Sequence, residues 1–276
     1  MPLGIPTIGS WTANDGAFYA ESDITTDAQV KATVTKYEVA ITSSSLQRLL
    51  DVYPESDFTF LLRPNEKATA QYYRAAQINR DLWFTCPVID FTWQYARFGK
   101  APVRLYEMNQ TRFDPIYRNI GHPEWRVSHL ADLPYFFNEE LIGGGDNSPA
   151  EFALSKLVSG SVAAYAHTGD PTNSPSKFVL KDWPLAYQVD RSSNDYPQSF
   201  KVEVIGGPTS GPQTATLTPK IGHPGRSPPV DVLRQRRAKQ RRNEDVRNSQ
   251  QDPAQAWERT LERCNFINSI TKEIGV

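Results

Sequence analysis

The chain has 276 residues, of which 39% are hydrophobic and 22% are charged, and its formal net charge is −1. This length suits one large domain or two small ones, and the near-zero charge excludes a global field that would recruit nucleic acid or an anionic membrane. No apolar run approaches the roughly 20 residues that a membrane-spanning helix needs. The first residues also lack the basic and long apolar stretches of a signal peptide, so we expect neither kind of segment here.

The N-terminal part begins with a strand-like segment that leads into the turn-forming triplet Asn14-Asp15-Gly16. Residues 24–66 carry helical pieces, and the serines at 43–45 predict the cap of a short helix. Apolar residues repeat at three- and four-residue spacing across 66–98. This spacing predicts helix, with a break or kink at Pro87.

Strands and helices alternate in the next part of the chain. Residues 102–108 and 200–205 alternate as half-buried strands do. Between them, Ser148 followed three residues later by Glu151 predicts the capped start of a long helix. Another helix is predicted over residues 256–270, where apolar residues fall at helical spacing. This order of elements predicts the α/β class.

Composition changes across residues 206–254. The stretch is first rich in Pro, Gly, Ser and Thr, and residues 234–242 then hold six cations. Such a composition predicts an exposed loop or a disordered insertion. A basic run also raises the alternative of nucleic-acid binding or nuclear import. Because no aromatic residues interleave with the cations and the rest of the chain is not basic, we predict no nucleic-acid partner.

His129 lies in a loop after the predicted strand 102–108, just after Trp125 and before an aromatic run at 135–137. A lone histidine is most often structural. A loop after a late strand is nevertheless where a serine hydrolase carries its catalytic histidine, between a carboxylate and a hydroxyl. The other histidines lie in turns, near Gly or Pro, and have no comparable context; they are His122, His167 and His223.

Asp15 is the candidate for the matching acid. In hydrolases that carry such a triad on an α/β sheet, the acid precedes the histidine in the chain and lies at the end of a strand. Asp15 has that place, after the first strand-like segment. Taken alone, an Asn-Asp-Gly triplet is most often only a turn.

Several segments together resemble the type B carboxylesterases, the family of the cholinesterases, neuroligins and fungal lipases. The family's acid loop matches at Gly9, Asn14, Asp15, Gly16 and Phe18, with aspartate where glutamate is commoner. Leu130 departs from the Gly or Ala that usually follows the histidine, which we expect to alter the packing there. The other matching segments are 83–88, 96–99, 103–106, 164–171, 183–184 and 257–268.

The resemblance implies the C-terminal portion of an α/β-hydrolase fold, with a partial, mostly parallel sheet and flanking helices. Residues 1–205 would form this portion, with cap helices over 24–98. The insertion 206–254 would follow, and residues 255–276 would add the C-terminal helix. The resemblance also implies that His129 is the general base and Asp15 the acid that orients it, with no cofactor and no metal.

Two cysteines are present, Cys86 and Cys264. Composition leaves open whether they are free thiols in an intracellular protein or a long-range disulfide in a secreted one. In the family, the cysteines at these positions bond to each other, so the resemblance implies a disulfide and an extracellular location. The triplet Asn109-Gln110-Thr111 is an N-glycosylation sequon, which supports secretion only weakly because such triplets arise by chance.

The sequence contains no Gly-x-Ser-x-Gly, the pentapeptide that holds a nucleophilic serine on a strained strand-to-helix turn. The family's His-Gly-Gly oxyanion loop is also absent, and both elements belong to the family's N-terminal half. We therefore predict a fragment of a carboxylic ester hydrolase that acts on a small-molecule or lipid ester when complete. Alone it would be inactive, and it would need an N-terminal half to complete its fold. A non-catalytic binding protein, in the manner of the neuroligins, is the alternative.

Overall fold

A computed structural model of the chain describes residues 4–64, 66–99, 101–141, 144–189, 196–217 and 253–274. The basic run at 234–242, for which the sequence predicts an exposed loop or a disordered insertion, therefore lies outside the described residues. No helix within these ranges is long and apolar enough to cross a lipid bilayer.

A four-stranded sheet organises the described part of the chain. Its strands lie side by side in chain order: β1 (Thr7–Thr12), β2 (Val103–Met108), β3 (Ser199–Ile205) and β4 (Gly211–Thr216). The first three are parallel, and β4 runs antiparallel to β3. The carboxyl ends of β1 and β2 consequently meet at one edge, where ligand and catalytic groups collect in open α/β sheets.

Helices connect and cover the strands. They are α1 (Asp27–Thr35), α2 (Ser43–Val52), α3 (Ala70–Arg80), α4 (Cys86–Gly99), α5 (Asp114–Asn119), α6 (Leu133–Phe136), α7 (Pro149–Thr168), α8 (Pro253–Ser269) and α9 (Thr271–Ile274). Short 3₁₀ turns occupy Ala17–Tyr19, Glu55–Leu61 and Pro123–Trp125. The alternation of helices with parallel strands is the α/β organisation that the sequence predicts.

The helical run before β2 has no break at Pro87. A π-helical segment, Asp81–Thr85, joins α3 to α4 directly. Pro87 follows this segment at the second residue of α4. The π segment inserts one extra residue into the helical run. The irregularity in the helix therefore lies in this segment, whereas the sequence predicts it at the proline.

Capping residues set the ends of two helices. Ser148 caps α7 by accepting from the backbone N–H of Glu151, and Gly169 ends the helix in the left-handed conformation at φ 76°. For α2, the cap is Thr42 rather than the serines at 43–45, since the Thr42 hydroxyl accepts from the Ser45 N–H at 3.2 Å.

The core has two parts, one on each face of the sheet. The larger lies under α1 to α4 and α8, with side chains such as Leu105 and Val202 fully buried. The smaller lies under α7 and around Trp183, with Met108 and Ile205 among its members. Strand alternation therefore buries both faces, as expected of a largely parallel sheet.

β4 corrects the expectation of disorder across residues 206–254. Gly206 and Gly207 turn the chain with φ values of 77° and 70°, which glycine adopts without strain. The strand then returns beside β3, and Ala215 is fully buried against the core. Pairing with β3 orders a sequence whose composition alone indicates a loop, while residues 218–252 lie outside the described part.

Glu203 on β3 makes the fold sensitive to pH. Its side chain is 4% exposed, and Oε2 has no hydrogen-bond partner within the described residues. Burial, aided by the charge of Asp182, raises the pKa of Glu203 to about 8. An unfolded glutamate titrates near pH ~4.3. Between these values the folded chain keeps a proton that the unfolded chain loses, so stability falls as the pH rises through this window.

Substitution Glu203→Gln is expected to remove this pH dependence, because the amide is neutral at every pH in the window. The gain in free energy of unfolding at pH 8 should be about 2 kcal/mol once solvent screening is allowed for, and it should be clearly smaller at pH 5. Urea unfolding at pH 5 and pH 8 measures this gain in free energy of unfolding. Glu140→Gln is the matched control, because Glu140 is exposed. Equal gains at both pH values would contradict the account.

Candidate active site

Asp15 lies in the turn directly after β1 and is 3% exposed. Its Oδ2 accepts from the Thr12 backbone N–H at 2.8 Å, and its own N–H donates to the Thr12 carbonyl at 3.3 Å. Two residues before Asp15, the Ala13 N–H donates to the Met108 carbonyl at the end of β2. The turn is thus fixed to the sheet on both sides, which leaves Oδ1 for another partner.

His129 reaches the same sheet edge from the loop after β2. The bridge between Asn14 and Ser128 joins the two loops, because the Asn14 N–H donates to the Val127 carbonyl at 2.9 Å. The Asn14 side chain also accepts from the Val127 N–H at 3.3 Å. Residues that neighbour Asp15 and His129 in the chain therefore hold the two side chains close together.

A hydrogen bond of 2.7 Å joins His129 Nδ1 to Asp15 Oδ1. The Asp15 side chain is 5% exposed and that of His129 is 31% exposed, so the carboxylate lies inside and the imidazole faces outward. Within the described residues, Nε2 of His129 has no hydrogen-bond partner. A buried carboxylate on one nitrogen and an open second nitrogen is the arrangement of the acid and the base in a hydrolase triad.

Gly16 is required by the way α3 packs on the acid turn. A Cβ on Gly16 would lie 2.0 Å from the carbonyl oxygen of Ala76 and 2.4 Å from the backbone nitrogen of Arg80. Helix backbone cannot yield as a side chain can. The same helix fixes the next turn, since the Tyr72 hydroxyl donates to the Ala17 carbonyl at 3.2 Å. Glycine at this position therefore lets the backbone of α3 pack directly against the turn that carries Asp15.

Substitution Gly16→Ala is expected to destabilise the fold by about 1–3 kcal/mol, since overpacking against rigid backbone forces a shift. Differential scanning calorimetry would report the lowered Tm. Gly99→Ala is the control, because its added Cβ would meet the Tyr95 ring at an ordinary 3.5 Å. A Tm for Gly16→Ala as high as that of Gly99→Ala would refute the tight packing.

Two further contacts fix the histidine loop. The ring of Phe84 packs against the imidazole of His129, with centroids 4.7 Å apart. Three residues after the histidine, Asp132 accepts a hydrogen bond of 2.7 Å from the hydroxyl of Tyr106 on β2. Burial, followed by the charge of Asp132, raises the pKa of Tyr106, which keeps its hydroxyl protonated as a donor. The sequence gives Asp132 three residues after His129, but nothing in it indicates these partners.

Leu130 shows why glycine suits the position after the histidine. Its φ is 65°, in the left-handed region that glycine occupies without strain. The side chain is 51% exposed, so the departure from glycine strains the backbone rather than altering the packing, which corrects our expectation. The strain persists because the neighbouring turn is held by the Ala131 N–H, which donates to the Ser128 carbonyl.

No serine hydroxyl hydrogen-bonds to His129 within the part of the chain that the structure describes. The neighbouring Ser128 is fully buried, and its Oγ shares a hydrogen bond of 2.7 Å with the Tyr117 hydroxyl. Ser161 of α7 accepts from the Leu180 N–H at 2.8 Å. The described residues likewise contain no group of three or more His, Cys, Asp and Glu that could hold a metal.

The remaining predicted residues are the two cysteines and Asn109. Cys86 and Cys264 form a disulfide with a Cα–Cα distance of 5.0 Å, which joins the start of α4 to α8. Asn109, just after β2, is half-buried, and its backbone N–H donates to the Ile205 carbonyl at 2.8 Å. A Cβ on Gly207 would come within 2.8 Å of the Asn109 amide nitrogen, so this side chain lies close to the chain after β3. Glycosylation at Asn109 stays a prediction.

A sequence model of the carboxylesterase family matches residues 2–201 of the chain. The inactive carboxylesterase-like protein VdtD of Byssochlamys spectabilis is 30% identical over 211 residues, which is 75% of this chain and 36% of that protein. A secreted lipase of Arthroderma benhamiae is 25% identical over 215 residues, covering 75% of this chain and 34% of the lipase. These matches confirm the family resemblance that the sequence segments carry.

Secreted lipase 4 of Gibberella zeae is 25% identical over 193 residues, covering 68% of this chain and 31% of the lipase. The chain thus spans about a third of the length of these curated relatives. Among solved structures, the crystal structure of Aspergillus niger EstA covers 99% of this chain with a TM-score of 0.62 at 15% identity, and the match covers 41% of EstA. This likeness confirms the predicted fold, a part of an α/β-hydrolase.

Proposed function

The chain belongs to the carboxylesterase family, and on that premise we propose that it supplies the acid and the base of a serine esterase triad. Asp15 is the acid and His129 is the base. The observation that carries the proposal is the 2.7 Å hydrogen bond between Asp15 Oδ1 and His129 Nδ1. These residues are 114 positions apart in the sequence, and the backbone contacts between their loops bring them together.

In the complete enzyme, the oxygen of a serine outside this chain would attack the carbonyl carbon of an ester. His129 Nε2 would take the hydroxyl proton and later return it to the departing alcohol. Asp15 would hold the proton on Nδ1 and stabilise the imidazolium that forms. The acyl-serine would then be hydrolysed by water with the same proton transfers. The substrate class is therefore a carboxylic ester.

We further propose that the serine and the oxyanion loop reside in an N-terminal segment that adds to the sheet beside β1. Within the described residues, β1 pairs only with β2 and is therefore an edge strand of the sheet. An exposed edge of this kind is a template for another strand. The proposal is supported by relatives about three times longer than the matched region. The disulfide and the secreted lipases among the relatives support an extracellular location.

Hydrolysis of p-nitrophenyl butyrate tests the proposed function. The recombinant 276-residue chain is expected to give no hydrolysis above the background. Protein purified from its source with an antibody against residues 149–168 is expected to hydrolyse the ester and to contain additional sequence. Hydrolysis by the recombinant chain at the rate of the native material would contradict the proposal, and so would an inactive native protein.

A non-catalytic binding role is the second candidate, because the relative at 30% identity is named an inactive carboxylesterase-like protein. The paired Asp15 and His129 favour the hydrolase, since a binding protein has no need of a buried carboxylate aligned on an imidazole. Two relatives named as secreted lipases point the same way. An inactive native protein of full length would favour the binding role.

A further inference from the structure

Arg80, the last residue of α3, contacts the turn that carries Asp15 from the interior of the protein. Its side chain is 9% exposed, and one guanidinium N–H donates to the Ala13 carbonyl at 3.2 Å. Its backbone nitrogen lies 2.4 Å from the place that a Cβ on Gly16 would occupy. Arg80 therefore adjoins this turn through both its side chain and its backbone.

The peptide group between Ala13 and Asn14 is held at both of its polar ends. Its carbonyl oxygen accepts from Arg80, and its N–H donates to the Val127 carbonyl at 2.9 Å. In a planar trans peptide these two groups point in opposite directions. The guanidinium therefore lies on one side of this peptide, and the loop that carries the histidine lies on the other.

Buried partners restrict the guanidinium to this position. Its Nε donates to the Thr85 hydroxyl at 2.9 Å and lies 3.5 Å from Asp81 Oδ1. A terminal nitrogen lies 3.6 Å from Glu107 Oε2 on β2, and this oxygen also accepts from the Trp11 indole on β1 at 2.8 Å. The arginine is thus held by partners from the helical run and from the sheet.

The π segment explains how Thr85 reaches Arg80. The two residues are five positions apart. In a regular α-helix, side chains three or four positions apart are neighbours. A π-helical turn is wider, and its hydrogen bonds join residues five apart. The insertion at Asp81–Thr85 therefore places a hydroxyl acceptor on the guanidinium, in keeping with the frequent occurrence of such insertions at functional sites.

Charge makes arginine the suitable residue at this position. Asp15, Asp81 and Glu107 are all buried. Burial raises the pKa of Glu107, and the positive charge of Arg80 is the main factor that opposes this rise. A guanidinium carries five donors in a rigid fork, so it can serve a carbonyl, a hydroxyl and carboxylates together. An apolar residue in its place would leave Glu107 without a cation.

We propose that Arg80 is a positioning residue of the esterase triad, a role that rests on the esterase function proposed above. It acts through the Ala13 carbonyl on the turn that holds Asp15, and thereby on the alignment of Asp15 with His129. A displacement of about 1 Å in a catalytic group can lower the rate about 100-fold. Loss of Arg80 should therefore lower kcat and leave KM nearly unchanged.

Hydrogen–deuterium exchange of the complete enzyme tests this role without any ester. Arg80→Met keeps the apolar length of the side chain and removes its charge and donors. Exchange of the Asn14 amide, followed by mass spectrometry on peptides that span this turn, should accelerate about tenfold. Peptides from β3 should exchange as in the unaltered enzyme, because only the turn loses a contact.

Arg104→Met is the matched control. Arg104 is also an arginine in an ion pair, with a side chain that is 11% exposed and a distance of 2.8 Å to Asp170. Its loss should leave the exchange of the turn unchanged. The double variant Arg80→Met/Glu107→Met removes the cation and its carboxylate together, which covers the case in which the single variant does not fold. It should show the same faster exchange in the turn.

Steady-state kinetics on p-nitrophenyl butyrate gives the second readout. Arg80→Met should lower kcat about 100-fold with KM within about twofold. Arg80→Lys restores the charge with fewer donors, so its kcat should lie between those of Arg80→Met and the unaltered enzyme. Graded recovery of this kind is expected of a residue that positions the triad through a charged hydrogen bond.

Unchanged exchange of the turn in both Arg80→Met and the double variant would overturn the proposal. Faster exchange that is equally large in β3 would also overturn it, because that result marks a general loss of stability. So would a change in KM at constant kcat. Failure of the proposed function is read separately, as an absence of ester hydrolysis by the unaltered native protein, and it would remove the catalytic role of Arg80 whatever the exchange shows.

Discussion

In the complete enzyme, Asp15→Asn is expected to lower kcat about 10³–10⁴-fold with little change in KM. The carboxylate accepts from His129 Nδ1 at 2.7 Å and is buried, so as the acid of the proposed triad it would fix the tautomer and stabilise the imidazolium. An asparagine amide can donate to Nδ1 instead, which places the imidazole proton on Nε2 and blocks proton acceptance there. The variant His129→Ala should lower kcat further, by about 10⁶-fold.

The control for both variants is His167→Ala, because His167 is exposed on α7 and remote in sequence from both loops. Its kcat should stay within about twofold of the unaltered enzyme. Steady-state kinetics on p-nitrophenyl butyrate measures all three variants. A kcat for Asp15→Asn within tenfold of the unaltered value would show that Asp15 is not the acid of the triad.

Loss of the Cys86–Cys264 disulfide should produce the largest change in stability. The bond closes a loop across a sequence separation of 178 residues, and both cysteines are fully buried. The chain-entropy relation assigns such a loop about 5 kcal/mol, which is an upper figure. The double variant Cys86→Ser/Cys264→Ser should therefore unfold at a much lower urea concentration.

Urea unfolding of the complete enzyme in its oxidised form, its reduced form and the double variant separates the effect of the disulfide from the cavity and polarity effects of serine. Reduction removes only the covalent bond and leaves both side chains in place. It should nevertheless produce most of the loss in free energy of unfolding, because the crosslink is the main source of the stabilisation. Either single variant should be as unstable as the double variant. Coincident unfolding curves for the oxidised and reduced enzyme would mean that the disulfide contributes nothing to the stability of the fold.

Local signals in the sequence predict much of the architecture. The alternation at 102–108 corresponds to β2, and Ser148 gives the start of α7. These features depend on neighbours within one or two turns of the chain, which is why periodicity and capping residues reveal them. The candidate acid and base were found in the same way, because each lies in a loop after a strand.

Features that depend on distant contacts could not be predicted. β4 is ordered by pairing with β3, and the π segment Asp81–Thr85 absorbs the extra residue between two helices. From the sequence, Gly16 is predicted only to be a turn residue. The structure shows that the backbone of α3 packs closely against it, a contact that no local pattern indicates. The ring centroids of Tyr37 and Trp83 lie 4.8 Å apart, although no local pattern indicates that these two segments meet.

Labelling with a fluorophosphonate tests the central claim most directly, because the reagent reacts with a serine only when a histidine base activates it. The recombinant 276-residue chain should remain unlabelled. The native protein should be labelled on a serine within a Gly-x-Ser-x-Gly outside these 276 residues, and His129→Ala should abolish the label. A labelled serine within the chain itself would contradict the account, as would labelling of the native protein that survives His129→Ala.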